Sequence, residues 1–539
     1  MIVCQTTLYK RRQSEFTSAE HSGGMVAHHD LVRAVLSADA IEGVHFFVGG
    51  KTDDDAPIDD LRHNFPGREI AVHPLARLGE LSQTHEYVFP IAVESLPMLA
   101  GSRLSATSGR FPISGIVHSI SSHASAMLYI SMLVLAESFD RIVVTSDAGR
   151  SAINKVFDGF AEFLGQQLMC NFKVKPPIVK IPFGVDENYL RPLDRPMARA
   201  RMDLPIDRTI LLYVGRITEE YKADLEPLLL AFQQVHAADK KAMLVLAGSD
   251  NGSSYVGHLQ QMCAGLDLQG SVLFKTNFSF ELKPFLYSAA DVFVSPVDNV
   301  QETFGISILE ASACGLPVVA SDWSGYRDSV IHGATGFLVP TYWDEDFISL
   351  LSVSAPLRNQ VKTTHLMAQH TVVEVEALTS YLRLLVADRE LRRNMGAKGR
   401  ERILREYCWP QIISRYLQMW NSQWDELRTQ PVQRPLIKLG LNEIYSHFAT
   451  NPLKHEIVLE ANPEREFAGN GKLLTEETER VRQIWSACAA QPSSAKHLAE
   501  NQAGSAPGAL SWLWKKGYLR SRDVAETVQE IFRYRKSAS

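Results

Sequence analysis

The stretch QETFGISILEASACG, Gln301–Gly315, sets Glu302 and Glu310 eight positions apart around a Phe304-Gly305 turn. Upstream, Val292 to Pro296 reads as a buried strand and Asp298 to Phe304 as a loop. Gly305 to Ala313 then reads as a short helix closed by Gly315. A helix N-terminus offers unpaired backbone N–H groups and a partial positive charge, which suits an anion such as a diphosphate. Glu302, ahead of the helix, is placed to accept hydrogen bonds from hydroxyls. Glu310, one to two turns along, can hold the paired hydroxyls of a ribose. The bland alternative is a strand and helix whose two glutamates face solvent.

Outward from this motif the pattern is strand and helix in alternation. ILLYVGR from Thr209, a helix near Leu225 to Val235, AMLVLAG, SVLFKTN, ADVFVSP, the motif helix, LPVVAS and GFLVP form one set. An earlier set holds IVCQTTLY, VHFFV, REIAVH, YVFP, GIVHSI and RIVVTS, with helices near Met25 to Leu36 and Ala124 to Glu137. Each set predicts a parallel sheet covered on both faces. They join near KIPFGVDENYLRP, Lys180–Pro192, where proline and glycine interrupt the pattern. The expected fold is α/β, with two doubly wound Rossmann-like domains facing a cleft, over residues 1–185 and 186–428. Residues 429–539 follow as a linker and a small, mainly α, winged-helix-like domain. Its expected helices are Leu474 to Ala490, Ser494 to Asn501 and Pro507 to Lys516, with Ile484, Leu498, Leu510 and Leu513 as the apolar set. The last of these helices opens on Ser505, Ala506, Pro507 and Gly508, where a base-reading helix would carry arginine, asparagine or glutamine. A peptide- or protein-docking module, or a structural cap, fits better than a DNA reader.

The paired glutamates with seven residues between them resemble the hallmark of family 4 of the retaining, nucleotide-sugar-dependent glycosyltransferases. The likeness runs in register through DVFVSPVDNVQETFGISILEASACGLPVVASDWSGYRDSVIHGATGFLVPT, Asp291–Thr341. It is interrupted over 344–372, returns from Ala377 to Trp420, and covers about the first 425 residues. The resemblance implies the two-domain GT-B fold, with a last helix, Trp409 to Trp424, crossing back onto the first domain. It implies a donor-phosphate clamp at Arg216 in VGRI and Lys222 in TEEYKADLEPLLLAF, although Ala223 stands where a glycine is usual. Gly23 and Gly24 correspond to a glycine-rich loop ahead of the first helix, and His118 in GIVHSI to a histidine that reaches the donor sugar. Backbone amides of Phe304, Gly305, Ile306 and Ser307 would face the donor, and the nucleobase would lie near Lys275 to Phe278. His21, His28 and His29 flank the glycines as acceptor-side candidates. The reaction implied is transfer of a sugar from a nucleoside diphosphate to an acceptor hydroxyl with retention, by front-face displacement. It needs no cofactor and no metal, since the cations take the metal's place; UDP, GDP and ADP donors stay open. The acceptor is a glycan, lipid-linked saccharide, peptide or natural product.

Composition narrows the setting. A net charge of −6 makes nucleic acid an improbable partner. Six cysteines without a C-x-x-C pair suggest reduced thiols and a cytoplasmic setting. The most apolar run, Ala124 to Ala136, is too short to span a bilayer, so membrane contact is expected to be peripheral at most. Two further readings stand beside the enzyme: a degenerate nucleotide-sugar-binding regulatory module, and glycosylation of nucleic acid guided by the C-terminal domain. Retention of both glutamates and both cations speaks against the first, and the acidic balance against the second.

Overall fold

A computed structural model describes residues 1–6, 23–48, 56–105, 110–118, 120, 123–169, 175–250, 252–354, 360–430, 458–463, 478–494, 497, 513–516 and 518–522. The chain separates into two compact units, the larger ending at Leu436 and the smaller spanning Ile437–Ser539.

The larger unit holds both Rossmann-like domains. Strands β1 (Ile2–Gln5), β2 (Gly43–Val48), β3 (Glu69–Pro74), β4 (Tyr87–Ala92), β5 (Ile113–Ile116), β6 (Arg141–Val144) and β7 (Ile178–Lys180) form one sheet in the order 3-2-1-4-5-6-7. Strands β8 (Thr209–Val214), β9 (Ala242–Gly248), β10 (Val272–Thr276), β11 (Val292–Ser295), β12 (Val318–Ser321) and β13 (Gly336–Val339) form the other, in the order 10-9-8-11-12-13. All pairings in both sheets are parallel. Both faces of each sheet are packed, and continuous apolar runs such as AMLVLAG are buried from end to end. The strand order reverses between β8 and β11, which opens a crevice at their carboxyl ends.

The helix Trp409–Thr429 belongs to the core of the first domain although it follows the second in sequence. Its Ile412, Tyr416, Trp420 and Leu427 pack with Val3, Leu31, Val44 and Val88. Gln423, fully buried, accepts from Ser114 Oγ at 2.9 Å and donates to the carbonyls of Ile113 and Phe139 at 3.1 and 2.9 Å.

Two details differ from the expectation. The first helix begins at Gly23 and runs to Leu36, so Gly23 and Gly24 are its opening residues and not part of a loop ahead of it. The interrupted segment is itself regular. It contains β14 (Thr341–Trp343), helices Glu345–Ser354 and Gln360–Gln369, and β15 (Thr371–Val373), with β14 and β15 antiparallel.

In the smaller unit the helix Thr478–Ala490 forms, with Ile484 and Cys488 buried. Residues 493–494, where a second helix was expected to begin, are a short strand in a three-stranded sheet with Val458–Ala461 and Leu519–Ser521. The strand Val458–Ala461 had read as polar linker. Leu513 is fully buried, whereas Leu498, Leu510 and Ser505 to Gly508 lie outside the described residues.

Among the described residues no helix is long and apolar enough to cross a membrane.

Candidate active site

The site is built on the loops that leave β8 and β11. After β8 the chain turns at Gly215 and places Arg216 and Lys222 within one short loop, whose backbone is tied by Lys222 N and Ala223 N donating to Thr218 O. Ala223 is fully buried there. Arg216 lies over the Tyr221 ring at 5.7 Å and donates to the Tyr221 carbonyl at 3.1 Å.

After β11 the chain carries Asp298 to Phe304 and enters the helix Ile306–Ala313 through Gly305. Gly305 has φ +93°, and a Cβ there would come within 2.2 Å of the Tyr326 ring. Only glycine combines that backbone with that approach. Gly325 backs the same loop, since a Cβ on it would meet Thr303 O at 2.4 Å. The loop thus has its shape set from both sides.

The two loops meet at an ion pair between Lys222 Nζ and Glu302 Oε2. Both side chains are mostly shielded, at 17% and 13% exposure. Glu302 Oε1 accepts the Phe304 N–H at 3.1 Å. Burial pushes the Glu302 pKa upward. The Lys222 charge, its hydrogen bond, and the backbone N–H groups of Phe304 and Gly305 outweigh it and hold the carboxyl below its ordinary value. Behind the pair lies Asp298, 3% exposed, pushed well above the carboxylate range by burial and by the neighbouring Asp224.

Glu310 sits in the helix body, 4% exposed. It is held by Lys283 on Oε1 and by the Tyr287 hydroxyl, which donates to Oε2 at 2.8 Å. Neither partner was among the sequence-based candidates. Their one signal was the i, i+4 spacing in KPFLYSA just before β11. Ile306 and Ser307 form the first turn of the helix, partly exposed.

The first domain reaches this loop at two points and the helix after β12 at a third. Thr303 Oγ1 donates to His118 O at 3.2 Å, Ser146 Oγ donates to Thr303 O at 2.7 Å, and Asp147 N donates to Asp328 Oδ2 at 2.7 Å. The His118 ring stacks on Phe183 at 5.7 Å, and Phe183 meets Phe304 edge-on at 5.5 Å. Burial lowers the His118 pKa, keeping the ring neutral. His28, on the first helix, is lowered to about 4 by burial, then by His118 and His29. His28 Nε2 is buried without a hydrogen-bond partner. His29 is 8% exposed beside Asp30, and His21 lies outside the described residues.

At the end of β10, Asn277 has φ +52°, donates from its backbone to Gly248 O at 2.9 Å and from Nδ2 to Asp250 at 3.2 Å. Its Oδ1 is buried and has no partner in the protein. Among the described residues no group of three or more His, Cys, Asp or Glu side chains is arranged to hold a metal ion.

Two parallel-sheet Rossmann-like domains, with these loops at the carboxyl edge of the second, define the GT-B architecture of glycosyltransferases. Sucrose-phosphate synthase from Thermosynechococcus elongatus shares it over 79% of this chain and 99% of its own, at TM-score 0.53 and 19% identity. Anabaena HepE, solved in complex with UDP, does so over 78% and 99%, at TM-score 0.55 and 17% identity. Residues 194–360 match the sequence profile of the family described as Glycosyl transferases group 1. Similar curated proteins include the D-inositol 3-phosphate glycosyltransferase of Geodermatophilus obscurus, 39% identical over 30% of this chain and 36% of that protein. That of Stackebrandtia nassauensis is 30% identical over 44% and 54%. The chain thus spans about a third to a half of the length of these relatives.

Proposed function

We propose that this chain is a retaining glycosyltransferase of the family 4 type, moving a sugar from a nucleoside diphosphate to an acceptor hydroxyl. The observation that carries the proposal is the Lys222–Glu302 pair, which couples the loop after β8 to the loop after β11 at the sheet's switch point. In this reading Arg216 and Lys222 take the donor diphosphate, helped by the amides of Phe304, Gly305, Ile306 and Ser307 at the helix start. Glu310 holds the ribose hydroxyls, and the base lies by Asn277. Glu302 and His118 face the transferred sugar.

The bond from the anomeric carbon to the phosphate oxygen breaks while the acceptor oxygen attacks on the same face. The acceptor proton passes to the departing phosphate oxygen. The cations stabilise the charge that gathers on that phosphate, which is the main contribution asked of the protein. No cofactor is required in this scheme. Uridine is the favoured donor base, because HepE is a neighbour solved with UDP. A hydroxyl-rich acceptor is in keeping with the relatives named for inositol 3-phosphate.

Thermal stabilisation by UDP-, GDP- and ADP-sugars tests the reading, since a ligand at a hundred times its Kd adds about 2.7 kcal/mol to folding. A shift with one nucleotide series, lost in the Arg216→Ala, Lys222→Ala double variant, is expected. Donor hydrolysis or transfer lost on Glu302→Ala completes the test. Absence of any shift would refute the donor site.

A further inference from the structure

The segment Thr341–Val373 leaves the carboxyl end of β13, on the same edge of the sheet as the loops after β8 and β11. It touches the candidate site directly, for Gln301 Nε2 donates to Thr364 Oγ1 at 3.3 Å. It also brings Trp343 against Trp323, with ring centroids 5.8 Å apart and planes tilted by 36°. Trp323 follows β12, and its indole N–H donates to the Asn299 carbonyl at 3.1 Å. That same carbonyl accepts the backbone N–H of Glu302 at 3.1 Å. One oxygen therefore joins the indole pair to the residue at the centre of the site.

Trp343 is 37% exposed, so the pair is open to solvent on one side. Its surroundings are polar and on balance acidic. Asp322, next to Trp323, bonds Arg327 Nε at 2.7 Å, and Asp344, next to Trp343, faces His370 at 3.2 Å. All four of these side chains are about one third exposed or more. An aromatic face with carboxylates at its rim matches a pyranose, whose C–H face lies on an indole while its hydroxyls donate to carboxylate oxygens. Lipid chains would gain nothing from the polar rim.

We propose that Trp323 and Trp343 form a saccharide subsite that seats a sugar unit of the acceptor beside the donor loop. The proposal rests on the glycosyltransferase reading and narrows its acceptor to a glycan or a glycan-bearing molecule.

Saturation-transfer NMR on the full chain tests this, using UDP, GDP and ADP together with gluco-, manno-, galacto- and N-acetylglucosamine-based tetrasaccharides. Saturation is expected on ring C–H protons of at least one tetrasaccharide and on the ribose of one nucleotide. In Trp343→Ala the tetrasaccharide should bind about tenfold more weakly while the nucleotide signal persists. Trp343→Phe should recover part of the loss. The persisting nucleotide signal also shows that the variant is folded. Nucleotide binding with no saturation of any tetrasaccharide, or with saturation that survives Trp343→Ala, overturns the subsite. Failure of every nucleotide to bind instead removes the donor site on which the subsite depends.

Discussion

Lys283 and Tyr287 show how one buried carboxylate is kept ready. The Glu310 side chain is 5% exposed and that of Lys283 13%, so the pair is desolvated and each charge depends on the other. Removing one partner of such a pair leaves an uncompensated charge and costs about 3 kcal/mol or more. Lys283→Met should lower stability by that amount in urea denaturation. It should also blunt the distinction between ribose and 2′-deoxyribose donors at the proposed site, because Glu310 then keeps only its bond from Tyr287. The histidines give a pH prediction. His28 has a folded-state pKa of about 4 against an ordinary 6.5, with burial as the first cause. Below 6.5 the unfolded chain takes up a proton that the folded chain refuses, so stability is full above 6.5 and falls as pH drops toward 4. Melting temperature followed across that window should decline in the native protein and decline less in His28→Gln. Of the candidate residues, Lys222 and Glu302 were both named from their motifs, and the structure brings the two together. Lys283 was not named, since a lysine ahead of a buried strand carries no signal until the fold turns it toward Glu310.

The helix Ile306–Ala313 with its entry loop is the element on which the proposed donor site turns. It has eight residues and no side-chain cap on its N-terminus; Glu302 takes the N–H groups of Phe304 and Gly305 just ahead of it, and Ile308 N donates to Gly305 O. Gly305 sets the direction of entry. Gly305→Ala combines a left-handed backbone with a clash on Tyr326, and should cost about 1 to 3 kcal/mol by strain alone. The larger effect should fall on donor affinity, measured by titration calorimetry, because shifting the loop moves Glu302 off Lys222. Elements of this kind were readable wherever a whole strand is buried, as in β9 and β11, since their apolar runs stand out from any background. The short strands Thr341–Trp343 and Val458–Ala461 were not. Each is three or four residues long and mixes polar with apolar side chains, so only the pairing partner, distant in sequence, defines it. The helices Glu345–Ser354 and Gln360–Gln369 were hidden for a related reason, having exposed apolar residues such as Leu350 where an amphipathic pattern would place polar ones.

At the scale of the larger unit, the two Rossmann-like domains are joined by chain that belongs to both. The connection passes through Gly184, where a Cβ would lie 2.4 Å from the Trp409 ring, so this connection and the returning helix are packed in direct contact. Val185 N donates to Tyr407 O at 2.8 Å at the same place. Beyond it, Trp420 is fully buried among residues of the first domain. Replacing it with alanine opens a cavity there and should cost about 3 to 5 kcal/mol. The cost has a location. Trp420 packs with Val3, Leu31 and Val88, so Trp420→Ala should speed amide exchange in β1, β4 and the helix Gly23–Leu36, all far from it in sequence. Exchange in β8 and β9, whose core is a separate cluster, should change little. Equal acceleration in both sheets would mean that the two domains unfold as one cooperative body. Acceleration confined to the first would show that the returning helix stabilises a domain it does not adjoin in sequence, and that the proposed donor half keeps its shape without that support.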